Sequence, residues 1–200
     1  GGGVVEVRLY QNGKLVASEE LKEAKKKQQR RNFPVKLING KNDFRVVALS
    51  RDFIESKPAK VAVTFTGAKK TSTLHVVTIG INKYRNPALN LNYGVQDAKG
   101  LESFYQKQPN SIFKSIKFHT LHDRKASKAN IKQMIEGLKD SQPQDVVVIY
   151  LAGHGDTVDG QWYFLPTETS FPERPSHVRE KGISSKELDT WVRGVGAQKV

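Results

Sequence analysis

Hydrophobic and polar positions change their rhythm about a third of the way along the chain. Up to residue 66 the apolar residues fall in short alternating runs. VVEVRLY (4–10) and KLVAS (14–18) flank Asn12-Gly13, a pair that supplies the positive φ of a type I′ turn, so a β-hairpin is expected there. Phe33 to Ile38 is a further strand candidate, Asn39-Gly40 a turn, and Asp43 to Ser50 (DFRVVALS) and Ala59 to Thr66 (AKVAVTFT) two more strands. Short strands with turn signals between them predict a small all-β sandwich. Such a sandwich normally has about seven strands, so one or two are expected ahead of Gly1. Gly67 to Ser72 (GAKKTS) is polar and aperiodic and reads as a connection. This places a β module at 1–68, a linker at 69–73 and a second domain at 74–200.

From Leu74 the pattern alternates between strand and helix. LHVVTIGI (74–81) is a buried strand, and Val95 to Gln108 a helix with Val95, Ala98, Leu101, Glu102 and Tyr105 along one stripe and Phe104 beside it. Phe113 to His122 is a second strand. Ser127 caps a helix running through Lys139, whose Ile131, Met134, Ile135 and Leu138 follow the i, i+3, i+4, i+7 spacing. Val146 to Leu151, an unbroken apolar run too short for a helix, reads as the central strand, covered on both faces. Asp159-Gly160 marks a hairpin, Thr167 to Gly182 an exposed loop, and Ser184 with Glu187 a capping box. That box opens a last helix carrying Leu188, Trp191 and Val192 inward and ended by Gly194 and Gly196. The class predicted is α/β, a mostly parallel sheet flanked by helices.

The Val146–Leu151 strand runs into Ala-Gly-His-Gly. This puts His154 between two residues without side chains, at the C-terminal strand edge where open α/β sheets place their chemistry. The alternative role for such a histidine is to tie down a loop. His75, His119, His122 and His177 read as surface or packing residues, and no pair has metal-ligand spacing, so no metal is expected. Asp97 lies in the first turn of a helix, where a carboxylate also interacts favourably with the helix dipole.

The ordered segments TIGINKY, NYGVQDA, YLAGHG and YFLP together resemble the caspase and metacaspase type of cysteine peptidase in its bacterial form, over roughly Leu74 to Val200. The β module resembles the Ig-like domains often found before such domains. The resemblance implies that His154 activates a cysteine and later protonates the leaving amine. It also implies that Gly155 donates one oxyanion-hole N–H and the cysteine's own amide the other. Asp97 would line the pocket for the residue before the scissile bond, giving cleavage after Arg or Lys. Ala152 stands where the family usually has a small hydroxyl residue. In the family the nucleophile follows the next core strand, in a segment like Asp-Xaa-Cys-Xaa-Ser-Gly, and this chain contains no cysteine. The expectation is therefore a large-subunit half, inactive alone, partnered by the C-terminal half carrying the cysteine in cis or in trans, with a protein or peptide as substrate. A non-catalytic caspase-like scaffold is the alternative.

Charge adds little to this picture. The formal net charge is +13, and 16 of the 33 Lys/Arg lie in residues 1–72. The densest cluster, Lys22 to Arg31 (KEAKKKQQRR), has no aromatics for stacking on bases, so nucleic acid is disfavoured as a partner. The cluster reads as a solvated loop, with an acidic surface or a processing site as alternatives. No run nears the ~18 apolar residues of a bilayer span, so no membrane partner is expected. No cofactor is expected. Calcium dependence stays open, as does localisation, with the cytoplasm favoured.

Overall fold

The computed structural model describes residues 3–21, 30–107 and 112–200. They fall into two compact units, Gly1–Lys70 and Thr71–Val200. Most of the basic cluster, residues 22–29, lies outside the described residues.

In the first unit, β1 (Val4–Gln11) and β2 (Lys14–Glu20) form the expected hairpin, turning through Asn12 at φ 50° and Gly13 at φ 88°. With β3 (Gly40–Ser50) and β4 (Ala59–Phe65) they make an antiparallel sheet in the order β2-β1-β3-β4. This is the β module anticipated ahead of the α/β domain. A second sheet facing it, which would make it a sandwich, is not among the described residues.

Phe33 to Ile38 forms no strand, and its backbone bonds show why. The buried Asn42 side chain accepts from the Ile38 N–H (2.9 Å) and donates to the Ile38 carbonyl (3.0 Å). Gln11, also buried, donates to the Lys36 carbonyl (3.1 Å), and the Lys70 ammonium to that of Leu37 (2.8 Å). Side chains thus supply the bonds that a neighbouring strand would have made.

The second unit is built on β5 (Thr73–Gly80), α1 (Gly94–Gln106), β6 (Ser115–His122), α2 (Lys128–Glu136) and β7 (Val146–Ala152). The strands form a parallel sheet in the order β6-β5-β7. The central strand is therefore β5, buried from Leu74 to Gly80, and not β7, which is only partly buried apart from Val147. On its far side β7 makes a single parallel bridge, Val146 to Lys199, with the Val147 N–H donating to the Lys199 carbonyl at 2.9 Å. An apolar run identifies a strand but does not tell how many neighbours it has.

Beyond β7, the hairpin of β8 (Gly155–Val158) and β9 (Gln161–Phe164) turns at Asp159 and Gly160, both with positive φ. Residues 167–182, expected to be an exposed loop, instead contain α3 (Pro175–Lys181), with Val178 and Thr169 fully buried. Pro175 sits at the start of this helix, where its missing N–H costs nothing, and one buried valine is too little for a periodic signal. A short β10 (Ile183–Ser184) pairs with β9, and Ser184 and Glu187 form the expected capping box of α4 (Ser185–Arg193). The core gathers Val77, Ile79, Ile131, Ile135, Phe164 and Trp191, each worth about 1.5–3 kcal/mol of burial. Among the described residues no helix is long and apolar enough to cross a membrane.

Helix α1 meets β5 backbone to backbone. A Cβ on Gly80 would lie 2.5 Å from the Gly94 carbonyl oxygen and 2.9 Å from the Ala98 Cβ. Gly80→Ala is therefore expected to push α1 away and to cost about 1–3 kcal/mol, read as a lower urea midpoint at unchanged slope. A stability equal to that of the parent would contradict this packing.

Candidate active site

His154 follows the end of β7 and is held at three points. Its N–H donates to the Tyr84 hydroxyl (2.8 Å), its carbonyl accepts from the Leu165 N–H (2.9 Å), and its ring Nε2 lies 2.9 Å from the Leu89 carbonyl oxygen. A carbonyl only accepts, so Nε2 carries the proton and, in the neutral ring, the lone pair is on Nδ1. Nδ1 has no partner among the described residues. The arrangement leaves one basic nitrogen free to take a proton from an incoming group.

The loop supplying Leu89 and Tyr84 is fixed by asparagines and one aspartate. Asn90 accepts from the Tyr84 N–H, Asn82 from the Val95 N–H, and Asn86 from the Ala88 N–H. Asp123, at φ 49°, accepts from the N–H groups of both Asn82 and Lys83, each at 2.8 Å. Burial pushes the Tyr84 phenol up to about 12, so its hydroxyl stays neutral at physiological pH. None of these residues was singled out from sequence. The available signal was Asn82, Asn86, Asn90 and Asn92 crowded between a strand and a helix, a composition that satisfies loop backbone from its own side chains.

Gly155 is exposed and pairs with Phe164 across the hairpin. The Leu165-to-His154 bond makes this a non-hydrogen-bonded pair of the ladder, so the Gly155 N–H is turned away from β9. Trp162 covers the residue, and a Cβ there would meet its Nε1 at 2.7 Å. Ala152 is half-buried. Its carbonyl accepts from the Ile81 N–H (2.9 Å) and lies 3.1 Å from where a Gly94 Cβ would stand, so the first turn of α1 abuts the end of β7. Asp97 lies in that turn, exposed, its carboxylate without a hydrogen-bond or ion-pair partner among the described residues.

The remaining histidines lie elsewhere. His122 bonds to Glu102 (3.2 Å), which also accepts from Thr78, so Glu102 faces the sheet as a polar link within the expected apolar stripe. His177 accepts from the Ser170 N–H at 3.1 Å. His75 is buried, with Nδ1 at 3.1 Å from His119 Nε2 and Nε2 at 3.6 Å from Asp145. Among the described residues no group of three or more potential ligands could hold a metal ion.

Residues 73–187 match the family described as Peptidase_C14: Caspase domain, and the chain belongs to that family. A search of curated proteins finds no match. Among solved structures, a polysaccharide deacetylase from Bacillus cereus is 15% identical over 74% of this chain, with a TM-score of 0.23. The chain covers 52% of that protein's length.

Three expectations follow. Tyr84→Phe leaves the His154 N–H without its acceptor and is expected to cost about 1–3 kcal/mol. Nitrogen-15 NMR of the parent should show His154 as the Nε2–H tautomer, and the Nδ1–H form would refute the assigned geometry. His119 is held below the ordinary histidine value of 6.5 by burial first and then by His75 and Lys117. The unfolded chain therefore takes up the proton first, so stability is full above about pH 6.5 and falls as pH drops through the lowered value. His119→Gln, whose amide can still donate to His75, should flatten that part of a stability–pH curve, and an unchanged slope would count against it.

Proposed function

We propose that this caspase-family domain is the histidine-bearing, large-subunit part of a bacterial-type cysteine endopeptidase that hydrolyses peptide bonds after Arg or Lys through an acyl-enzyme. The observation that carries the reading is the His154 imidazole, with Nε2–H committed to the Leu89 carbonyl and Nδ1 without a partner among the described residues. A thiol at its ordinary pKa near 8.5 is only a few per cent thiolate at neutral pH, so it needs such a base. In this reading Nδ1 takes the thiol proton and returns it to the leaving amine. The Gly155 N–H, directed away from its hairpin, supports one half of an oxyanion hole.

The chain has no cysteine. The nucleophile is then supplied by a C-terminal half, in cis or in trans, and the free side of β7, already bridged in parallel at Lys199, is the edge on which its first strand would dock. Asp97, a carboxylate without a partner among the described residues, on the turn of α1 that abuts Ala152, supplies the charge for the specificity. A guanidinium engages a carboxylate bidentately, so Arg is preferred to Lys, and a substrate Asp is repelled. Ala152 brings no hydroxyl to the pocket. The absence of cysteine also favours a second reading, a non-catalytic scaffold that binds proteins through the same fold.

The test is a positional peptide library run on the natural protein at full length and on its His154→Ala and Asp97→Ala variants. Cleavage after Arg, abolished in the first variant and reduced on the order of a hundredfold in the second, is expected, with no turnover by residues 1–200 alone. Preference for Asp, or an undiminished Arg preference in Asp97→Ala, would reject the specificity. Absence of turnover at full length would select the scaffold.

A further inference from the structure

A parallel sheet flanked by helices ordinarily carries apolar residues on both faces. One face of β5 and β6 departs from this over its first half. In register, Thr73 pairs with Ser115 and His75 with Lys117, and these four share a face with His119, which stands opposite Val77. Further along the same face Val77, Ile79 and Leu121 join Ile131 and Ile135 in the core. The polar half instead lines a cleft of about 660 Å³, together with Lys114 and, from the segment before β7, Gly137, Leu138, residues 140–142, Gln144 and Asp145. Five polar face positions side by side leave nothing for a helix to bury, which accounts for an opening there.

The charge in this cleft is unevenly spent. Asp145 accepts from the N–H groups of Thr73 and Gln142, each at 2.8 Å, and faces His75 at 3.6 Å, so its negative charge is engaged by the protein. Lys114 and Lys117 are exposed and have no carboxylate within ion-pair distance among the described residues. Thr73 and Ser115 share one hydrogen bond at 3.1 Å between two hydroxyls, which leaves one O–H to donate outward. The other acid lining the cleft is the exposed Asp140. Two free ammonium groups beside a free hydroxyl donor complement a compact polyvalent oxyanion.

We propose that this cleft, at the N-terminal ends of β5 and β6, binds a small phosphate-type oxyanion through Lys114, Lys117 and the Thr73–Ser115 hydroxyl pair. The site lies at the end of the strands opposite His154 and is independent of the peptidase reading.

The experiment is an NMR titration of residues 1–200 with inorganic phosphate, at ionic strength held constant with chloride. Saturable shifts centred on Ser115, Lys117 and His119 are expected, unchanged by His154→Ala and by Lys186→Gln, a lysine outside the cleft. Lys117→Gln and Lys114→Gln should each weaken binding by about tenfold with the melting temperature preserved, since both side chains are exposed. Shifts that never saturate, or that Lys186→Gln weakens as much as Lys117→Gln does, would mean an adventitious ion only and would overturn the proposal. Binding equal to the parent's in both cleft variants would overturn it as well.

Discussion

The carbonyl of Ala152 is the point at which three elements of the second unit meet. It accepts the Ile81 N–H, which ties the end of β7 to the end of β5, and it lies against Gly94, which brings in the start of α1. Backbone can approach backbone this closely only where no Cβ intervenes, and Gly80 and Gly94 both meet that condition. The candidate active site branches from there. His154 is two residues beyond Ala152, Asn82 follows Ile81 and fixes the loop bearing Tyr84 and Leu89, and Asp97 is three residues beyond Gly94.

The order of elements in the α/β unit could be read from periodicity because its apolar spacing is long and regular, as in Ile131, Ile135 and Leu138, all buried. Cap chemistry was legible for the same reason, since Ser127 and Ser184 act through bonds that span only three residues. What could not be read were choices made at a distance. Whether Val146–Ala152 has one neighbour or two depends on what lies across the sheet. Whether residues 33–38 join a ladder depends on Asn42 and Gln11 reaching them first. The site divides in the same way. The glycines around His154 announced a special turn, but the carbonyl that sets its tautomer belongs to Leu89, a residue whose side chain says nothing about its backbone.

Polar residues within the apolar framework mark the other decisions. Glu102 occupies a helix position that spacing assigns to the core, and it is tolerated because Thr78 and His122 both bond to it. Asp145 does comparable work at the opposite end, joining the segment before β7 to the start of β5 by accepting the Thr73 N–H, while its other oxygen accepts the N–H of Gln142 within its own segment. The two clusters hold the sheet at its two ends by polar contacts, while the apolar core between them supplies most of the burial.

His154 is held by groups 65 and 70 residues earlier in the chain, its ring by the Leu89 carbonyl and its backbone N–H by the Tyr84 hydroxyl. Parallel strands β5 and β7 have a similar separation, so none of these contacts forms from a local segment. On a ribosome, residues 84–93 would emerge and wait, because the strand that completes their surroundings is made much later. Loop-closure entropy must be met before any of the pairing is rewarded, which makes the orientation of this ring a late event in folding. The same linkage works in reverse. Unpairing β5 from β7 would withdraw the groups that hold the histidine, so the geometry that sets its tautomer depends on the sheet as well as on the loop.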